Sequence, residues 1–281
     1  MNYNFKKDVD FILSVTGDDL SALAEKTGIS RRTLLYSLDK GPSDKTLEKV
    51  YSYIYKCGYI LSEAKNELFL ESLKGNEKLF FHGSRFGIDK IVTDGSRYTS
   101  DFSCGFYCSE SLGSAVSFVE EFKSSSVYVF KANLTELKTF EFECNLDWML
   151  AISYFRNKLS NYKNNERIIS IIDCLRDKDV IIAPIADNKM FEILNLFSEG
   201  IITSAQALHS LSASRLGKQY VFKTKKAINS LAFVDRFYMC GEERARSIIS
   251  SANRSNIIQT KLDMAKREFR GKGKYIDEIL I

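Results

Sequence analysis

Lys78-Leu79-Phe80-Phe81-His82-Gly83-Ser84 and, further on, Asp101-Phe102-Ser103-Cys104-Gly105-Phe106-Tyr107-Cys108-Ser109 are the stretches on which the fold is read. The first is a short apolar strand, 78–82, that runs into a polar residue and a glycine. A glycine at a strand end leaves room for a ligand to come close to the backbone. In the second stretch a glycine precedes two aromatics, a pattern that bends the chain and turns a flat ring toward a cleft. Leu112, Ala115, Val116, Val119 and Phe122 then recur at helical spacing, so a helix is expected over 111–122.

Downstream, Phe140 to Phe142 reads as a strand, and a helix follows that carries Trp148, Met149, Ile152 and Arg156. Trp148 reads as core. Arg156 has two readings, a solvated helix face or a ligand for an acidic group such as a pyrophosphate. Asp179 to Asn188 is a buried strand entering a polar turn, Phe191 to Phe197 a helix, and Thr203 the cap of a further helix, Ser204 to Leu211. Leu216 to Thr224 reads as a strand. From Asp235 the sequence reads as helical, with 10 basic and 7 acidic residues, suited either to a solvated face or to nucleic acid or an acidic partner.

His-Gly-Ser at a strand end, followed by Asp-Phe-x-x-Gly-Phe-Tyr-x-Ser and this order of strands and helices over 78–234, is similar to an uncharacterised bacterial family of the ADP-ribosyltransferase-like superfamily. The resemblance implies an α+β fold, a split β-sheet core with flanking helices, and NAD as the substrate, with no metal. It implies that His82 bonds a ribose hydroxyl, that Gly83 offers its backbone to the nicotinamide carboxamide, and that Tyr107 stacks on the nicotinamide ring. Ser84 and Ser109 fall beside these positions. The superfamily often carries a glutamate on a late strand that bonds the ribose. This chain has Gln219 there, which forms hydrogen bonds but carries no charge to stabilise an oxocarbenium-like state. Asp101 and Asp187 are the carboxylates at hand to supply one, or else they serve as turn and cap residues. The catalytic set is therefore Tyr107, Gln219 and Asp101.

Ahead of this region the chain reads as helices. Leu20, Leu23 and Ala24 mark one that ends at Thr27-Gly28. Ser30 caps the next, Arg31 to Leu38, and after Gly41-Pro42, Ser43 caps a third, Asp44 to Tyr55. Residues 8–60 resemble the helix-turn-helix of the Cro/phage-repressor type, which implies that Arg31, Arg32 and Thr33 face nucleic acid. Residues 1–77 carry 11 basic and 12 acidic side chains, a net of −1, where a DNA reader normally shows a basic face. A protein-interaction module stays open beside DNA binding. The organisation expected is a helix-turn-helix module over 1–72, a transferase-like domain over 76–235 and a helical extension over 236–281.

The 281 residues, 44% hydrophobic and 27% charged with a net charge of +4, suit a globular protein with a core of useful size. No apolar run reaches membrane-spanning length and no signal-peptide pattern opens the chain, so a cytoplasmic location is expected. The six cysteines are scattered, and Cys104 and Cys108 lack a second Cys/His pair to complete a zinc site. The functional expectation is an NAD-dependent ADP-ribosyltransferase, a toxin or phage-defence effector acting on a macromolecular target, with an antitoxin or operator DNA as partner. The alternative is a transcription regulator or interaction protein whose degenerate transferase-like domain senses a nucleotide.

Overall fold

The computed structural model describes residues 1–212 and 217–281. Leu216, expected to open a strand, lies outside the described residues. In chain order the helices and strands are α1 (Phe5–Thr16), α2 (Leu20–Thr27), α3 (Arg31–Lys40), α4 (Asp44–Lys56), α5 (Leu61–Glu71), β1 (Glu77–Ser84), β2 (Phe106–Ser109), α6 (Leu112–Ser117), β3 (Ser126–Asn133), β4 (Thr139–Glu141), α7 (Leu146–Phe155), α8 (Glu166–Asp173), β5 (Val180–Pro184), α9 (Asn188–Ser198), α10 (Ser204–Leu211), β6 (Lys218–Phe222), α11 (Lys225–Asn229), β7 (Ala232–Tyr238), α12 (Gly241–Glu268) and α13 (Ile276–Ile279). The protein is thus α+β. No helix among the described residues is long and apolar enough to cross a membrane. The chain divides into two units, one of Met1–Lys90, Ser111–Asn133 and Ala232–Ile249, the other of Ile91–Glu110, Leu134–Leu231 and Ser250–Ile281.

In the first unit, five helices precede a three-stranded antiparallel sheet. β1 pairs with β3 from Glu77 opposite Asn133 to Ser84 opposite Ser126. β3 pairs with β7 across a register shift between Val129 and Phe130. The helix ends follow their capping chemistry. Asp19 accepts the Ala22 N–H, Ser30 that of Thr33 and Ser43 that of Thr46, while Gly28 closes α2 at φ +59°. Val9, Ile12, Leu23, Leu34, Leu47, Val50 and Ile54 bury one face of each helix into a common core that takes in Tyr238 and Cys240. A second core joins Leu79 and Phe81 of β1 to Ala115, Val116 and Val119.

Lys65 of α5 binds Asp8 of α1 and Asp235 of β7, the latter at 2.5 Å, and the Tyr51 hydroxyl donates to Asp8. Buried charges of this kind hold only when paired and hydrogen-bonded. Burial pushes the Asp8 carboxyl above the usual range, with Lys65 pulling against it.

In the second unit β5 is parallel to β4 and antiparallel to β6, and β6 is antiparallel to β2. Trp148, Met149, Ile152, Ile193, Phe197 and Val221 form its core, so Trp148 packs as expected. Thr203 caps α10 in a full capping box with Gln206.

Three expectations give way. The helix expected over 111–122 stops at Ser117. Its apolar spacing continues through tighter turns, with Val119 N–H donating to Val116 O and Phe122 N–H to Val119 O. The chain is not helical from Asp235, because residues 232–238 form β7 and α12 starts at Gly241. Phe237 and Tyr238 are buried on that strand, and Asp235 is held by Lys65. The strand expected at 140–142 runs 139–141.

Candidate functional site

The second unit gathers three of the expected residues. Gln219 lies on β6 between Ser109 of β2 and Ala183 of β5. Its amide nitrogen donates to Asp101 Oδ2 at 3.0 Å and to the Pro184 carbonyl at 3.2 Å. Both amide hydrogens are thereby spent on acceptors, and Oε1 takes no hydrogen bond from any described residue. Asp101, also buried, receives Nε of Arg156 at 2.9 Å and Nη2 at 2.8 Å, both on Oδ1. Arg156 follows the end of α7, and its guanidinium lies 3.2 Å from the centre of the Phe191 ring of α9. The acidic ligand expected for Arg156 is therefore an internal one, Asp101.

Tyr107 is in the same unit, half-buried on β2 opposite Val221. Its hydroxyl donates to the Ser103 carbonyl at 2.6 Å and accepts the Phe102 N–H at 3.0 Å. Burial pushes the phenol far above its ordinary value, with the Asp101 charge adding to the rise. The hydroxyl thus stays protonated and holds a turn, and the Tyr107 side chain packs against the core that contains Trp148 and Ile193. The turn itself is tied down by Lys223, whose Nζ donates to the carbonyls of Phe102 at 2.6 Å and Cys104 at 2.5 Å. Burial pulls the Lys223 amine below its usual range. Ser103 sits at φ +62°, which aims its carbonyl at the Tyr107 hydroxyl.

Gly105 has a packing reason. A Cβ there would stand 2.6 Å from Val221 Cγ1, so close approach of β6 demands a glycine whether or not a ligand does. Ser109 is buried on β2. Asp187 serves as the cap of α9, accepting the Met190 N–H at 2.9 Å, and is committed to that role.

The remaining expected residues belong to the first unit. His82 is half-buried on β1 opposite Tyr128. At Gly83 a Cβ would meet the Ala115 carbonyl at 2.5 Å, so the packing of α6 accounts for this glycine where a ligand's approach was expected to. The Ser84 hydroxyl donates to the Gly87 carbonyl at 3.1 Å. Arg31, Arg32 and Thr33 are exposed in the first turn of α3, and Leu35 and Tyr36 are exposed on the same helix. Sequence reasoning missed Phe191, the Pro184 carbonyl and Lys223. Phe191 was read only as one apolar residue of a helix, and a backbone carbonyl has no sequence signature.

An α+β protein whose β6 carries a buried glutamine, fixed by an aspartate and an arginine, is what the fold and this cluster define. The chain belongs to the family described as "Protein of unknown function (DUF3990)", whose model matches residues 79–233. That span includes every residue of the cluster. No curated protein matches the chain, and no solved structure does.

Proposed function

We propose that the chain is an NAD-dependent ADP-ribosyltransferase, with an ADP-ribosyltransferase-like core and a helix-turn-helix module at its N-terminal end. The observation that carries this reading is the fixed amide of Gln219. A buried side chain whose two N–H groups are both taken keeps a carbonyl oxygen ready to accept from a hydroxyl, at the strand position where the resemblance expects a ribose contact. In the reaction the bond between the nicotinamide nitrogen and ribose C1′ breaks. Nicotinamide leaves with the electron pair, and a nucleophile on the acceptor attacks the ribose cation. The resemblance assigns the nicotinamide ring to Tyr107 and a ribose hydroxyl to His82. A preorganised acceptor of the kind Gln219 offers lowers the barrier because it needs no rearrangement as charge develops.

A macromolecular acceptor and a toxin or phage-defence role in the cytoplasm complete the proposal. The exposed first turn of α3 supports contact with operator DNA or with an antitoxin. Incubation of the protein with NAD labelled in the adenylate and a cell lysate tests it. Labelled macromolecule and free nicotinamide are expected, both lost in Gln219→Ala and in His82→Ala.

One observation favours a second reading. Arg156 neutralises Asp101, so the cluster offers no net negative charge to a ribose cation. That suits a regulator that binds NAD or ADP-ribose without cleaving it. Saturable NAD binding with no nicotinamide release, and operator binding altered by NAD, would select this alternative.

A further inference from the structure

We propose that Arg156 is a positioning residue, acting through Asp101 to hold the Gln219 amide in one orientation, so that the ligand group met there must be a hydrogen-bond donor. The proposal rests on the reading that Gln219 contacts the ribose of NAD.

A glutamine amide can rotate by half a turn, exchanging its oxygen for its nitrogen at little steric cost. Here the exchange is blocked by chemistry. The two neighbours of Nε2, Asp101 Oδ2 and the Pro184 carbonyl, are both acceptors. Turned round, Oε1 would face a carboxylate and a carbonyl, and both hydrogen bonds would become repulsions. Asp101 can play this part only if its oxygens are assigned in turn. Arg156 does so by placing two N–H groups on Oδ1 and leaving Oδ2 for Gln219. The guanidinium is itself seated on the Phe191 ring, its central carbon 3.2 Å from the ring centre. A planar fork that also stacks is a property of arginine that lysine does not share.

The order is therefore Phe191, Arg156, Asp101, Gln219, and what emerges at its end is an acceptor. A ribose hydroxyl donates to it, whereas a phosphate or carboxylate oxygen is repelled. Asp101→Asn is the revealing substitution. Arg156 would keep the carbonyl oxygen of the new amide, turning its NH2 toward Gln219 and opposing the Gln219 donor.

The test uses the full chain and two readouts. The first is solvent exchange of the Gln219 side-chain amide protons, identified by the signals missing in Gln219→Ala. The second is the affinity for NAD and for an NAD analogue lacking one hydroxyl, 2′ or 3′, on the nicotinamide ribose. In the wild type the amide protons are protected, and one of the two deoxy analogues binds about tenfold more weakly than NAD, the worth of one well-made hydrogen bond. In Arg156→Gln and Asp101→Asn protection is lost and the analogue binds as well as NAD, with NAD itself weakened about tenfold. Phe191→Leu, which leaves Arg156 in place, gives an intermediate result and serves should Arg156→Gln fail to fold.

Unchanged protection in every one of these variants overturns the proposal, as does a deoxy analogue that still discriminates in Arg156→Gln. If the wild type binds no NAD, the functional reading fails, and the exchange data alone decide whether Arg156 orients Gln219.

Discussion

Replacing Lys65 with methionine removes one ammonium and leaves two carboxylates in the first unit without it. The side chains involved are 11% exposed for Lys65, 0% for Asp8 and 5% for Asp235. Methionine keeps most of the side chain's volume and removes the ammonium, whose Nζ lies 5.2 Å from the centre of the Phe237 ring, so the loss reads charge rather than volume. Breaking a buried pair from one side costs about 3–5 kcal/mol, because the remaining charge stays desolvated. With two carboxylates stranded, a value near the upper end, about 4–5 kcal/mol at neutral pH, is expected. At roughly 2–4 °C per kcal/mol for a chain of this size, the midpoint of thermal unfolding falls by about 10 °C or more. Burial already holds the Asp8 carboxyl above its usual range, so in the variant it takes up a proton readily. The cost should therefore shrink as pH falls through the raised range of Asp8. Adding Asp8→Asn should recover at least half of the loss. Urea titrations followed by circular dichroism measure all three. A loss below about 1 kcal/mol at neutral pH, or one that grows on acidification, would mean that Lys65 does not hold two buried carboxylates in the folded chain.

At Gly83, alanine should lower stability by about 1–3 kcal/mol, since its Cβ meets a backbone carbonyl that cannot rotate aside. Urea unfolding checks this, and an unchanged midpoint would mean that α6 shifts freely. Glu243, in the first turn of α12, is pushed above the usual glutamate range by burial, with Ser62 and the Cys240 N–H pulling it down. A carboxyl raised on folding contributes stability that is present below the unfolded value and lost as pH rises through the folded one. Stability should therefore fall with rising pH above the ordinary glutamate range, and less so in Glu243→Gln. Equal slopes in the two proteins would contradict the assignment. On the functional side, expression should slow bacterial growth, and Tyr107→Ala or His82→Ala should relieve the effect. Full toxicity in both variants counts against the proposed chemistry.

How much of this was legible depended on whether a residue's task is local. The caps Ser30, Ser43 and Thr203 were legible, since each acts on an N–H group three positions away, while the cap at Asp19 was not singled out. Strand β6 was legible from its apolar run, and with it the place of Gln219. Helix α5 carries no such local signal, because no side chain caps it and its apolar residues fall off one face. Strand β3 is absent from the expected elements, although Val127-Tyr128-Val129-Phe130 is a run of residues that favour strands. The glycines at 83 and 105 were noticed for a ligand's sake, yet their neighbours are Ala115 and Val221, contacts made only after folding. Asp101, Arg156 and Gln219 were each singled out separately. Their joining depends on pairings between residues 55 and 118 positions apart, which no local pattern encodes.

Whether the chain cleaves NAD is decided by chromatographic measurement of free nicotinamide, with the purified protein, NAD and a cell lysate. Release above the uncatalysed background is expected, together with transfer of ADP-ribose to a macromolecule, both abolished in Gln219→Ala. Release equal in the wild type and Gln219→Ala, or none from a wild type that is folded by circular dichroism, would contradict the transferase reading.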